Sequence, residues 1–179
     1  MNIWKEIRKE RITPSDFMAC IEITKGKKNK YELDKETGFI VLDRVLYTST
    51  IYPMNYGFIP RTYADDKDPL DVFVLCSVPI ESLALVRCYP IGVIKMTDRK
   101  ETDEKIIAIP FKDPQYNCYK DVSELPEHIF EELKHFLRVY KQLENKEVEV
   151  DELGGAEEAK KCIQYALDLF EKTFENKKA

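Results

Sequence analysis

The sequence predicts a mainly-β, α+β fold: a β-barrel or strongly bent sheet with helices packed outside it. Three observations predict it. Short apolar and β-branched segments separated by turn signals occupy the chain between Ala19 and Ile109. Long stretches of helical periodicity come only after Pro126. No internal repeat, low-complexity tract or Pro/Gly/Ser-rich linker divides the 179 residues, so a single domain over 1–179 is the simplest organisation.

Taken in order, residues 1–13 read as a short amphipathic helix with Ile3, Trp4 and Ile7 on one side. Segment 19–24 is apolar and β-branched, and Gly26 marks the turn over 25–29. Segment 30–33 alternates and runs into a strong turn signal at 34–38, after which 39–46 reads as a strand. Further short strands are expected at 72–76, 83–88, 91–96 and 106–109. From Glu127 to Glu144 the residues Ile129, Phe130, Leu133, Phe136, Leu137, Tyr140 and Leu143 make a helical stripe, and Pro126 suits the first turn. Segment 147–153 reads as extended. Beyond Gly154 and Gly155 a second helix over 156–174 turns Ile163, Ala166, Leu167, Phe170 and Phe174 inward.

Composition removes several function classes. Hydrophobic residues are 44% and charged residues 34%, and the net charge is −5. That balance argues against a protein built on phosphate-backbone contacts with nucleic acid, while leaving room for a local basic pocket. No apolar run is long enough to cross a bilayer, and the charged start MNIWKEIRKERI lacks a signal-peptide core, so a cytoplasmic protein is expected. The five cysteines, Cys20, Cys76, Cys88, Cys118 and Cys162, are scattered and form no CxxC pair. With two histidines in the chain, a Cys/His zinc site is improbable, and reduced thiols are the expectation.

The most informative stretch carries Asp65, Asp66, Asp68 and Asp71 within seven residues, with an apolar strand directly after it. Like charges so close cost free energy unless cations neutralise them, and aspartate oxygens are hard ligands suited to Mg²⁺ or Mn²⁺. Pro69 stiffens the segment and restrains Asp68. A rigid metal platform and a solvated acidic turn are both open readings. An EF-hand is not: counted from Asp66, the sixth position is Asp71 rather than Gly and the twelfth is Ser77 rather than Glu. A phosphoaspartate nucleophile would follow a strand, whereas this cluster precedes one. A second acidic group, Asp98, Glu101, Asp103 and Glu104, lies between two apolar segments. It is either a polar hairpin loop or, if the two loops converge, a partner in a shared metal site.

Candidate anion-binding groups are spread more widely. Lys30 and Glu32 alternate onto one strand face. Arg44 sits in an apolar strand and needs a partner or a polar cavity. Tyr56, beside Gly57, can offer a hydroxyl to phosphate, or pack in an aromatic corner with Tyr52. Tyr140 lies on the helical stripe and Lys141 follows it.

Together these residues resemble the soluble family I inorganic pyrophosphatases of prokaryotic type. The similarity runs from about Ile21 to Lys161, through Ile21-Glu22-Ile23, Lys30-Tyr-Glu-Leu-Asp34, Leu42-Asp43-Arg44, Tyr52-Pro-x-Asn55-Tyr56-Gly57, Asp66-Lys-Asp68-Pro-Leu-Asp71, Lys95-Met-Thr-Asp98 with Asp103 and Lys105, and Tyr140-Lys141. The resemblance implies a five-stranded OB-like barrel with flanking helices. It also implies a hydrolase that splits pyrophosphate into two orthophosphates by direct in-line attack of water, with no covalent intermediate. It implies several Mg²⁺ ions per site, replaceable by Mn²⁺ or other divalent ions, and a cytoplasmic homohexamer acting in phosphate metabolism, with no nucleic-acid or membrane partner. By motif position, Asp66, Asp71, Asp98, Asp103 and Glu22 would hold metal and Asp68 would act as general base. Lys30, Glu32, Arg44, Tyr56, Lys105, Tyr140 and Lys141 would bind substrate. Two positions depart from the pattern: Lys67 stands where a small or polar residue is usual, and Thr24 where proline is common. The rival readings are an OB-type nucleic-acid binder, which the acidic loops oppose, and a weakly catalytic relative kept for binding.

Overall fold

At the centre of the fold, Val72 and Val74 point to one side of a strand and Phe73 and Leu75 to the other, and all four are buried. Ile106 and Ala108 divide from Ile107 and Ile109 in the same way. These two strands pair in parallel, the arrangement that needs cover on both faces. The computed structural model, which describes residues 2–98 and 101–175, supplies that cover with two helices.

The elements run α1 (Ile3–Glu6), a 3₁₀ turn (Lys9–Arg11), β1 (Ile12–Thr13), β2 (Asp16–Ile23), β3 (Asn29–Leu33), β4 (Ile40–Val45), β5 (Asn55–Phe58), β6 (Asp71–Val74), β7 (Leu85–Asp98), β8 (Glu101–Pro110), α2 (Glu127–Val139), β9 (Val148–Gly155) and α3 (Ala156–Phe170). Seven strands form one mixed sheet in the order β1-β2-β5-β6-β8-β7-β9, and β3 pairs with β4 in a separate ribbon. The sheet is antiparallel except for β6–β8. It bends, since β2 pairs with β5 along Cys20–Ile23 and also with β7 along Phe17–Cys20.

This corrects the expected five-stranded OB-like barrel. The chain forms a seven-stranded mixed sheet plus a two-stranded ribbon, and the flanking helices are as expected. The physical reason lies in β7. Residues 85–88 of the first expected segment and all of 91–96 belong to one 14-residue strand passing through an irregularity between Pro90 and Gly92, while 83 and 84 lie in the turn before it. A strand that long pairs with β8 along its length and still recruits β9 to its other edge. A further strand, β5, lies in the aromatic, turn-rich stretch that carried no alternation.

The helix α2 covers one face, setting Phe130, Leu133, Phe136 and Leu137 against Phe73, Ile94, Met96 and Ile107. On the other face, α3 packs Ala159, Ile163 and Ala166 against Val72, Val93 and Ile106. Each large side chain buried this way contributes about 1.5–3 kcal/mol. Leu133 is completely buried, so truncation to Ala costs about 2–5 kcal/mol. Helical spacing overran both ends. After Val139 the chain tightens into a 3₁₀ turn (Gln142–Glu144) and stops at Asn145, which takes the left-handed conformation at φ 56°. At the N-terminus only Ile3–Glu6 is α-helical, capped by the Asn2 side-chain oxygen Oδ1, which accepts from the amides of Trp4 and Lys5. Pro14 holds Thr13 extended, and Ile12–Thr13 form β1 instead.

Candidate active site

The parallel register of β6 and β8 builds the centre. Asp71 opens β6 opposite Lys105, and Asp103 lies two residues earlier on the same face of β8. Lys105 Nζ donates to Asp71 Oδ2 at 2.6 Å, lies 3.0 Å from Asp103 Oδ2, and reaches Tyr56 Oη at 3.3 Å. Only 3% of Lys105 is exposed. Burial alone pushes its ammonium down, but the Asp103 and Asp71 carboxylates outweigh that and hold it well above the usual lysine range. Burial pushes the Asp103 carboxyl up, against the pull of Lys105, and pushes the Tyr56 phenol well up too. Tyr56 reaches this point because β5 comes very close to β2 at Gly57. A Cβ there would sit 1.8 Å from the Cys20 carbonyl oxygen.

Asp66 and Asp68 belong to the tight turn before β6. The Ala64 amide donates to the Asp68 carbonyl at 2.8 Å, and the Asp68 amide to Asp66 Oδ1 at 3.0 Å. Lys67 sits between them at φ 69°, a left-handed conformation unfavourable for a long side chain. Although Asp66 is exposed by area, its carboxyl is raised, first by partial desolvation and further by Asp71, Asp68 and Asp103. Asp68 is held by the ammonium of Lys35. From β2, buried Glu22 accepts the Leu33 amide at 2.8 Å, and its carboxyl is pushed up to about 8, chiefly by burial and further by Asp71.

The β3–β4 ribbon sets Lys30 directly opposite Arg44. Lys30 pairs with Glu32 and lies 3.7 Å from Asp43. Arg44 pairs with Asp43, and its Nε lies 3.0 Å from Glu144 Oε1.

A cleft of about 360 Å³ gathers these groups. Glu22, Lys30 and Glu32 line it from β2 and β3, and Asp66, Asp68 and Asp71 from the acidic turn. Tyr56, Asp103, Lys105, Tyr140 and Lys141 complete it. Arg44 stands beside Lys30 but is not among the lining residues. Asp98 ends β7 by its backbone, and its side chain lies outside the described residues. Three lining or supporting residues escaped the sequence reading. Lys35 and Trp4 line the cleft, and Glu144 backs Arg44. Lys35 had a signal, a cation in a turn directly after the Lys30–Asp34 motif. Trp4, on the far end of the chain, had none.

Whether a divalent cation fits can be asked of the donors themselves. Asp66, Asp71 and Asp103 offer only hard oxygens, and two of them already share one cation, the Lys105 ammonium. Among the described residues, no group of three or more His, Cys, Asp or Glu is closed around a metal-sized position. The donor set therefore suits a hard ion that keeps part of its water shell, as Mg²⁺ does, rather than a closed protein cage.

A family model described as inorganic pyrophosphatase matches residues 19–171. Soluble inorganic pyrophosphatase 2 of Chlamydomonas reinhardtii is 44% identical over 96% of this chain and 89% of its own length. A soluble inorganic pyrophosphatase of Zea mays is 48% identical over 93% of this chain and 78% of its own length. Among solved structures, an inorganic pyrophosphatase from Helicobacter pylori superposes with a TM-score of 0.88 at 38% identity, covering 93% of this chain and 99% of that one. That from Thermus thermophilus gives 0.91 at 32% identity, covering 96% and 99%.

Proposed function

The chain belongs to the inorganic pyrophosphatase family, and from that premise we infer that the 360 Å³ cleft is where it works. The protein is a hydrolase that splits pyrophosphate into two orthophosphates in a metal-dependent reaction with direct attack by water. The observation that carries the assignment to this cleft is its double lining. Carboxylates of Asp66, Asp71 and Asp103 face it together with the cationic and phenolic groups of Lys30, Lys105, Tyr56 and Tyr140.

We assign Mg²⁺ to the side formed by Asp66, Asp71 and Asp103, with Glu22 in support and Asp98 as a further ligand by motif position. Mn²⁺ or another divalent ion is a substitute. Bound there, the cation neutralises pyrophosphate oxygens and acidifies the attacking water. Asp68 takes the proton of that water. Lys30, Arg44, Lys105, Tyr56, Tyr140 and Lys141 bind phosphate oxygens and stabilise charge on the leaving phosphate. Glu32 orients Lys30, with which it pairs. Lys105 serves both halves, its ammonium screening Asp71 from Asp103.

The same reading takes residues 1–179 as one domain, of prokaryotic type by the near-complete overlap with bacterial structures. Identity to the maize protein, 48%, is higher than to either bacterial structure, so the prokaryotic type is proposed on structural overlap and not on identity. A cytoplasmic homohexamer is proposed. Among the described residues no helix is long and apolar enough to cross a membrane.

Phosphate release from pyrophosphate, with Mg²⁺ and with excess EDTA, tests the reaction. Release that EDTA abolishes supports it; folded protein inactive at every Mg²⁺ and Mn²⁺ concentration refutes it. For the site, Asp68→Asn should lower kcat roughly 10²–10⁴-fold with metal binding retained, and Asp71→Ala should lose metal binding itself. Near-normal turnover of both variants at saturating Mg²⁺ would remove the assignment.

A further inference from the structure

The family match begins at residue 19, yet the cleft is lined from outside that range by Trp4, the chain's single tryptophan. Trp4 is 4% exposed, although it sits on a helix of one turn. Its indole N–H donates to the Thr62 carbonyl at 2.8 Å, and its ring packs against Tyr63, Phe170 and Phe174. The Arg61 amide closes on the Trp4 carbonyl at 2.8 Å. The N-terminal arm is thereby fixed to the segment just before the acidic turn and to the end of α3.

From this anchored arm two contacts reach the turn between β3 and β4. The Asn2 side-chain amide donates to the Lys35 carbonyl at 3.0 Å, and the Lys35 ammonium stands 5.5 Å from the centre of the indole. At its far end that ammonium holds Asp68 Oδ1 and, like Trp4, lines the cleft. The chain of contact from Asn2 and Trp4 to Lys35 to Asp68 therefore ends on the group assigned as general base.

We propose that Lys35 is a positioning residue for the hydrolysis, held in place by the N-terminal arm. It fixes one carboxylate oxygen of Asp68 so that Oδ2 is presented to the attacking water. This rests on the assignment of Asp68 as base. Energetics favour positioning over stability as the use of this contact. Lys35 is 45% exposed and Asp68 55%, and an ion pair so open to solvent adds little to folding. A base displaced by an ångström, in contrast, loses up to about 100-fold in rate.

Steady-state kinetics at saturating Mg²⁺ test it. Lys35→Met is expected to lower kcat roughly 10-fold or more with KM within about twofold, and Lys35→Arg to restore most of the loss. Asn2→Ala, which removes the bond to the Lys35 carbonyl together with the side-chain cap of α1, and Trp4→Ala each lower kcat in the wild-type background. Neither adds a further loss in the Lys35→Met background. Wild-type kcat for Lys35→Met overturns the proposal, as do arm effects that multiply with that of Lys35→Met. Asp68→Asn, assayed alongside, separates the two layers. If it is slow while Lys35→Met is normal, only the role of Lys35 and the arm falls. If it is itself normal, the base assignment falls and this inference with it.

Discussion

Glu22 shows how much a single buried carboxyl controls. It is 8% exposed, sits near Asp71, and has one compensating bond from the Leu33 amide, so its carboxyl is pushed up from the ordinary range to about 8. The native state therefore holds a proton that the unfolded chain releases near 4.5. Between those values the unfolded state binds fewer protons, so stability falls as pH rises. Glu22 adds its full stabilisation below about 4.5 and has lost it once pH passes about 8. Other groups titrate too, and Asp66 and Asp103 act in the same direction, so the comparison with Glu22→Gln isolates the effect. Glutamine keeps the oxygen that accepts from Leu33 and removes the charge. In metal-free protein, urea unfolding midpoints of the wild type should fall more steeply with pH than those of Glu22→Gln, with the variant the more stable at alkaline pH. Parallel profiles would show that Glu22 does not titrate in this way. A carboxyl held so unfavourably is consistent with service to a cation rather than to the fold.

The strands decide which of these residues can meet. Asp71 and Lys105 are 34 residues apart in sequence and become neighbours solely through the parallel register of β6 and β8. Tyr56 joins them because β5 lies against both β2 and β6. That approach hangs on Gly57, where an added Cβ would meet backbone atoms of Cys20 at 1.8 and 2.8 Å. Backbone cannot swing aside as a flexible side chain can. Gly57→Ala is therefore expected to cost at least about 2–3 kcal/mol, and to displace Tyr56 so that surviving protein has a raised KM. Gly26→Ala is the control: nothing lies within 4 Å, and the cost comes from φ 86° alone, about 1–2 kcal/mol. Urea denaturation of the two variants compares them, and a Gly57→Ala protein as stable as wild type would refute the close-approach argument. The legibility of the sequence follows the same physics. Acidic spacing, alternation at Lys30–Glu32 and the stripe of α2 are local patterns, and each was readable. Sheet order is not local. The passage of β7 through Pro90 as one long strand, and the pairing of β9 to its edge, depend on partners elsewhere in the chain, which turned an expected five-stranded barrel into a seven-stranded mixed sheet. The resemblance located cleft-lining residues such as Lys30, Tyr56 and Lys105. Trp4 and Lys35 escaped because their contact with the cleft is made across the chain.

For the molecule as a whole, the cleft is a place where folding concentrates charge. Its carboxylates come from β2, the acidic turn, β6 and β8, so forming the native state brings together groups that the unfolded chain keeps apart. The raised carboxyls of Glu22, Asp66 and Asp103 are the signature of that cost, and Lys105 relieves only part of it. A divalent cation bound between those groups interacts with the native arrangement far better than with the unfolded chain. Its binding must therefore appear as stability, by about 2.7 kcal/mol when free metal is 100 times its Kd. For a domain of this size that corresponds to a rise in Tm of roughly 5–10 °C. Thermal unfolding with Mg²⁺ and with EDTA, in the absence of substrate, measures it. Asp71→Ala should abolish the rise, because it removes one of the carboxylates assigned to the ion, and it also removes the Lys105 partner at 2.6 Å. Lys35→Met should keep the rise, since Lys35 faces Asp68 and not the carboxylates assigned to metal. A wild-type Tm indifferent to Mg²⁺ at concentrations that support full activity would contradict the placement of the ion among these carboxylates, because an ion that neutralised them could not leave the folded state's stability unchanged.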